Sequence, residues 1–124
     1  MDVADVVREA DEAGLRLIRF LWCGNDGTVR AKASSRHGLE GRLAGGIGLT
    51  VGMQAMSGLD QLQPVDGMGP VGEVRLVPDL DTFRVLPYAP HLGAVLTDHI
   101  ALDGEPAPVC QRSLPALQPA EIVQ

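Results

Sequence analysis

The side chains able to do chemistry in this 124-residue chain are few and scattered. Glycines at 45, 46, 48 and 52 hint at a phosphate-cradling loop, but their spacing fits neither G-x-G-x-x-G nor G-x-x-x-x-G-K-S/T, so they read as loop formers. His37, His91 and His99 lack ligand spacing and read as solvated or packed, which leaves no metal site in prospect. Asp79 and Asp81 are the obvious paired carboxylates for acid–base work. Beside Pro78 and Thr82 they read as turn formers, bonding back to nearby backbone. Arg30 and Lys32 share one strand face, either solvated or offered to an acidic partner. Met53, Met56 and Met68 suit adaptable packing against a partner or within a loop. Cys23 and Cys110 lie far apart without C-x-x-C spacing and read as reduced, mostly packed thiols. No nucleophile–base pair is apparent, so the chain by itself is not expected to catalyse.

The elements that must position these residues follow from periodicity. Val3, Val6, Val7 and Ala10 fall on one helical face, with Asp2 suited to cap the start and Gly14 the end. From Leu15 the period becomes two: Ile18, Phe20 and Trp22 point one way, Leu17, Arg19, Leu21 and Cys23 the other. Gly24-Asn25-Asp26-Gly27 is a hairpin turn, because these residues tolerate positive φ. The return strand, 28–33, sets Val29, Ala31 and Ala33 on an apolar face and Thr28, Arg30 and Lys32 on a basic one. Ser34 or Ser35 caps a second helix running to about Ala44, with Leu39 and Leu43 buried and Gly45-Gly46 as its stop. Residues 46–68 read as a long loop, of the kind that is functional or disordered.

Residues 72–88, GEVRLVPDLDTFRVLPY, hold a strand through Val74, Leu76 and Val77, a stop at Pro78, a turn, and a second extended piece at Phe83, Val85 and Leu86. Residues 93–102 form another strand and Asp103-Gly104 another turn. The segment 114–124 is the start of a linker or helix, weakened by Pro115 and Pro119. The core is expected from Ile18, Phe20, Trp22, Val29, Leu76 and Val95, with Phe83 and Tyr88 as further large anchors.

Composition narrows the function. A formal net charge of −6 argues against nucleic acid and anionic membranes, which draw affinity from clustered Lys and Arg. Aromatics at 3% leave no base-stacking surface. No apolar run approaches the roughly 20 residues of a membrane helix, and no signal peptide is visible. A cytoplasmic, single-core domain is the expectation.

The order of elements, and the residues in them, resemble the N-terminal β-grasp domain of the glutamine synthetase family. The matching pieces are FLWCGNDGTVRAK (20–32), Gly46-Ile47-Gly48, Val77-Pro78-Asp79 with Asp81-Thr82, Leu86-Pro87, and Asp103-Gly104-Glu105-Pro106, ending at Arg112. They run in family order from about residue 15 to 113. The resemblance implies an α+β fold, a ubiquitin-like roll with a mixed sheet, one packed helix and an N-terminal helix. It makes residues 1–113 this domain and 114–124 a lead toward a catalytic domain not included in the chain. It further implies an ATP-dependent ligase that activates a glutamate-type γ-carboxylate as an acyl phosphate for attack by ammonia or an amine. ATP and Mg or Mn would serve the full-length enzyme, with no cofactor held in this chain. Family members form homo-oligomeric rings in which this domain completes the active site of a neighbouring subunit. The alternative is a stand-alone interaction or regulatory module that binds a full-length ligase.

One departure from the family pattern bears on substrate. Ammonia-using members carry an aspartate after the Gly-Ile-Gly stretch that faces the neighbouring site and favours ammonium. Thr50 stands there in this chain, within Leu49-Thr50-Val51-Gly52-Met53-Gln54, and a neutral hydroxyl gives up the order of 1 to 3 kcal/mol that a charged partner contributes. The resemblance therefore implies that Thr50, Gly52 and Met53 contribute to the amine site of a neighbouring subunit, for an organic amine or polyamine in preference to ammonia. Arg30, Lys32 and Met56 are the expected interface residues.

Overall fold

The structure, a computed structural model, describes residues 1–113; the expected linker or helix at 114–124 lies outside them. Helix α1 (Val3–Glu12) opens on a capping box, with the Asp2 carboxylate accepting from the Asp5 amide and the Asp5 carboxylate from the Asp2 amide. Gly14 takes φ +65° just beyond it, the left-handed conformation that glycine adopts at low cost. The hairpin β1 (Leu17–Cys23) and β2 (Val29–Ser35) follows in antiparallel register, Trp22 opposite Arg30 and Ile18 opposite Ser34. Then come α2 (Leu39–Gly45), β3 (Ile47–Thr50), a 3-10 turn over Val51–Ala55, β4 (Glu73–Pro78), β5 (Arg84–Val85) and β6 (Leu92–Ile100).

One mixed six-stranded sheet runs β2-β1-β6-β4-β3, with β5 beside β6. Its β1–β6 pair is parallel and the rest antiparallel. Strand β6 joins two halves: residues Leu92–Leu96 pair with β1, and Thr97–Ile100 pair with β4. Two apolar clusters match those halves. Val6, Ala10, Ile18, Phe20, Leu39, Leu43, Phe83 and Val95 pack under the helices. Trp22, Leu49, Val74, Leu76 and Ala107 pack beneath the other end. The result is the α+β, β-grasp-like roll that the element order implies.

Several expectations need correction. On β2 the faces are inverted: Val29 is 65% exposed, Ala31 and Ala33 are also exposed, and Arg30 and Ser34 turn inward. Alternation identifies two faces without saying which is covered, and the inward face of this edge strand is satisfied by polar partners instead of apolar packing. Tyr88 is likewise exposed and no core anchor. Helix α2 starts at Gly38, φ +73°, without a side-chain cap, because Ser34 and Ser35 belong to β2. The 46–68 loop contains β3 and the 3-10 turn; the glycines hide the strand pattern of Ile47 and Leu49. Cys23 is exposed and only Cys110 is buried.

The turn after β4 forms, and of the short side chains of Asp79, Asp81 and Thr82 expected to bond back to nearby backbone, Thr82 does so. The Thr82 hydroxyl, not an aspartate, bonds back to the Asp79 carbonyl oxygen at 2.7 Å. The Asp79 carboxylate instead pairs with Arg112 at 2.9 Å, and Asp81 with the N-terminal amine at 2.9 Å. No helix among the described residues is long and apolar enough to cross a membrane.

Candidate functional site

Thr50 is the last residue of β3 and lies opposite Glu73 of β4. It precedes the 3-10 turn with extended dihedrals, and its side chain does not cap that turn. The strand is placed by cations acting on backbone carbonyls. Arg75 donates to the carbonyl oxygens of Gly45, at 3.3 Å, and Gly46, at 2.8 Å, where α2 ends, and Lys32 Nζ donates to that of Gly48 at 2.7 Å. Such carbonyls have no intrahelical or ladder partner of their own and gain one here. Val51 N–H donates to the Gly72 carbonyl oxygen at 3.0 Å and closes the site toward β4.

Below the turn, Gln54 is 1% exposed. Its Nε2 donates to the Val109 carbonyl oxygen at 2.9 Å, and Asn25 Nδ2 donates to the Gln54 carbonyl oxygen at 2.7 Å. These bonds tie the 3-10 turn to the hairpin tip and to the turn at Val109. They fix its backbone from two remote parts of the chain.

An arm from 57 to 72 folds back over this turn. Gln63 N–H donates to the Ala55 carbonyl oxygen at 2.9 Å, and Met56 bridges Leu62. Arg30 clamps the arm to the hairpin, donating to Asp26 at 2.9 Å, to Asp60 at 2.5 Å and to the Ser57 carbonyl oxygen at 3.3 Å. The Thr28 amide, with the Thr28 hydroxyl and the Arg30 guanidinium, holds the Asp26 carboxyl below the usual carboxylate range. Arg30 and Lys32 thus both have partners within the domain, and Met56 is half-buried under the arm.

Between turn and arm lies a cavity of about 580 Å3. Thr50, Gly52 and Met53 form one wall, and Leu62, Val65, Met68 and Pro70 the opposite one. The two walls meet where Gly52 touches the backbone of Met68 and Gly69; a Cβ on Gly52 would stand 2.6 Å from the Gly69 carbonyl oxygen. Sequence reasoning found the first wall and missed the second. Its signal was the apolar residues set among Gly, Pro and Gln from 59 to 71, an exposed apolar pattern that a plain linker does not need.

The other glycines serve packing. A Cβ at Gly46 would meet the Leu76 carbonyl oxygen at 2.6 Å, and Gly48 is crowded by the Glu73 carboxylate. They are strand contacts and do not form a phosphate nest. Among the described residues no three His, Cys, Asp or Glu side chains are grouped to hold a metal ion. His99 is buried, His37 and His91 exposed. Burial raises the Cys110 thiol, but hydrogen bonds from His99 and Ser113 outweigh it and bring the group down to about 7.

Known proteins of the same kind bear on this arrangement. A γ-glutamylanilide synthase from Acinetobacter sp. is 33% identical over 130 residues, covering 91% of this chain and 25% of that protein. The crystal structure of a novel glutamine synthase homolog superposes with a TM-score of 0.73 at 30% identity, over 83% of this chain and 25% of that one. A GmaS/ADP complex shares the fold, with a TM-score of 0.66 at 21% identity, over 94% of this chain and 26% of that one. The chain thus spans about a quarter of the length of the relatives it matches. The family model described as the glutamine synthetase N-terminal domain matches residues 1–107. With that match over most of its length, the chain belongs to the glutamine synthetase family, as an N-terminal domain of that family.

Proposed function

We propose that this domain lends the Thr50–Met53 turn to the amine side of a ligase site, completing the active site of a neighbouring subunit in a homo-oligomeric ring. The reaction joins an organic amine to a glutamate-type γ-carboxylate. The observation that carries the reading is Thr50, a neutral residue lining a cavity where the family pattern has an ammonium-attracting aspartate. The carboxylate nearest by register, Glu73, is held by Arg75 at 3.1 Å and offers little free charge. Similarity to a γ-glutamylanilide synthase supports an amine in place of ammonia.

ATP and a divalent metal serve the reaction as the family runs it. The described residues fit neither: Gly46 and Gly48 are packed against β4, and no acidic cluster comes together among them. Those groups belong to the catalytic domain, and no step through them is assigned to these side chains. In this reading the isolated chain is inactive and works in the cytoplasm as part of a larger enzyme.

The test is a ligase assay on the full-length enzyme carrying this domain, with ammonium compared against a panel of amines. Higher kcat/KM for at least one organic amine is expected; ammonium exceeding every amine would overturn the reading. A second reading is favoured by the outer sheet face, where Val29, Leu17 and Leu96 are 65%, 41% and 41% exposed. Apolar exposure of this kind marks interaction surfaces, and a regulatory module would dock it on a ligase ring. Failure of the 124-residue chain to enter mixed oligomers with such a ligase counts against that alternative.

A further inference from the structure

We propose that the outer sheet face of this domain docks on the groove between α1 and α2 of a second copy of the same chain, so that the domains associate head to tail. Neither face includes a residue of the Thr50–Met53 turn, and the contact is therefore separate from the amine reading above.

The sheet has one covered face and one bare one. Ile18, Phe20 and Val95 are buried under the helices, and the residues alternating with them point the other way. That leaves Leu17, Val29 and Leu96 at 41%, 65% and 41% exposure, with Ala31 and Ala33 also in water. Arg19 stands among them, opposite Ala33 of β2 and Ala94 of β6. Arg84 of β5 flanks Ala94 from the other side and donates to the carbonyl oxygens of Asp81, at 3.1 Å, and Phe83, at 2.6 Å. Among the described residues neither arginine has a carboxylate partner. The bare face is thus apolar and cationic, in a chain whose net charge is −6.

The opposite side of the domain carries the complement. The groove between α1 and α2 is lined by the half-buried Val3 and Val7 and by Asp11, Glu12 and Glu40. Arg8 also lines it but pairs with Asp5 at 3.1 Å. Arg36 pairs with both Asp11, at 2.6 Å, and Glu40, at 3.1 Å. One cation on two carboxylates, with Glu12 beside them, leaves the groove negative. Apolar surface set on apolar surface drives association, and arginines facing carboxylates steer it. Two sheet faces brought together would set arginine against arginine, which disfavours a symmetric pair.

Because the two faces lie on opposite sides of the domain, each copy offers its sheet face to one neighbour and its groove to another. Such a heterologous contact repeats, and it closes into a ring where the rotation between copies allows. A ring of this kind agrees with the homo-oligomer proposed above.

Sedimentation velocity of the 124-residue chain at rising concentration tests the proposal. The chain should associate reversibly past the dimer at low salt, and less as salt screens the charges. Arg19→Glu and Glu12→Arg, both at exposed positions, should each weaken association about tenfold or more. The two substitutions in one chain should restore it, since the attraction returns with its signs exchanged; a variant that had merely lost its fold would not recover. A chain that stays monomeric throughout, as it would if the sheet face belonged to a catalytic domain or to a ligase ring, overturns the proposal. Association that stops at the dimer, or that Glu12→Arg leaves unchanged, does so too. The amine reading fails by a different measurement: ammonium exceeding every amine in the ligase assay removes that reading and leaves the head-to-tail contact standing.

Discussion

Gly52 and Gly69 lie backbone against backbone, so close that a Cβ on Gly52 would stand 2.6 Å from the Gly69 carbonyl oxygen and 3.2 Å from that of Met68. The contact joins the two walls of the cavity and lets them meet without a side chain between them. Gly52→Ala should push the 68–70 segment away and cost about 1–3 kcal/mol, the usual penalty for overpacking. Urea unfolding of the two chains measures it; equal midpoints would show that the arm gives way freely.

Thr50 lines the cavity and is the residue proposed to set the charge on its amine side. In the full-length enzyme, Thr50→Asp should shift the ratio of kcat/KM for ammonium over that for an organic amine by about tenfold to a hundredfold toward ammonium, the worth of a hydrogen bond to a charged group. A ratio unchanged by the substitution would remove Thr50 from the amine side of the site.

The inversion of β2 separates Val29 from Leu76, two apolar strand residues that look alike in sequence. Leu76→Ala, at a residue 0% exposed, should cost about 2–5 kcal/mol. Val29→Thr, at 65% exposure, should stay within about 0.5 kcal/mol. Denaturant midpoints for the two variants decide the matter, and a large loss at Val29 would restore it to the core.

Stability should fall in acid through Asp11. The Arg36 guanidinium, hydrogen-bonded to Asp11 at 2.6 Å, holds that carboxyl below its usual range. A carboxyl depressed in the folded state contributes fully above its unfolded value, about 4, and its contribution is lost as pH falls through the lower folded value. Melting temperature should therefore drop below about pH 4, and less steeply in Arg36→Gln. Parallel pH profiles for the two chains would contradict the pairing.

The two thiols should separate by access. Cys23 is exposed and Cys110 is buried against His99 and Ser113. A thiol reagent should modify Cys23 in the native chain at once and Cys110 only after unfolding, although the Cys110 thiol lies down at about 7, because a buried thiolate cannot meet the reagent. Mass spectrometry of the labelled chain reads the outcome directly.

Local chemistry makes much of this molecule legible in its sequence. The capping residues of α1, the Asp26-Gly27 hairpin, the stop at Pro78 and the Asp103-Gly104 turn each depend on neighbours a few residues away, and each appears as expected. Ile18, Phe20 and Trp22 showed their shared face through alternation, and their size ensured that this face was the buried one. The ordered motifs were enough to identify the family.

Tertiary structure decided the rest, because it depends on contacts between residues far apart in the chain. Arg30 reaches Asp60, Lys32 reaches Gly48, and Asn25 reaches Gln54; no periodicity encodes any of these. They drew Arg30 inward and left Val29, Ala31 and Ala33 in water. They also folded an apolar arm over the Thr50–Met53 turn. The sequence marked Thr50 by its place after Gly46-Ile47-Gly48 in the family pattern; the cavity beside it exists only because two segments, each loop-like on its own, close on each other where Gly52 has no side chain.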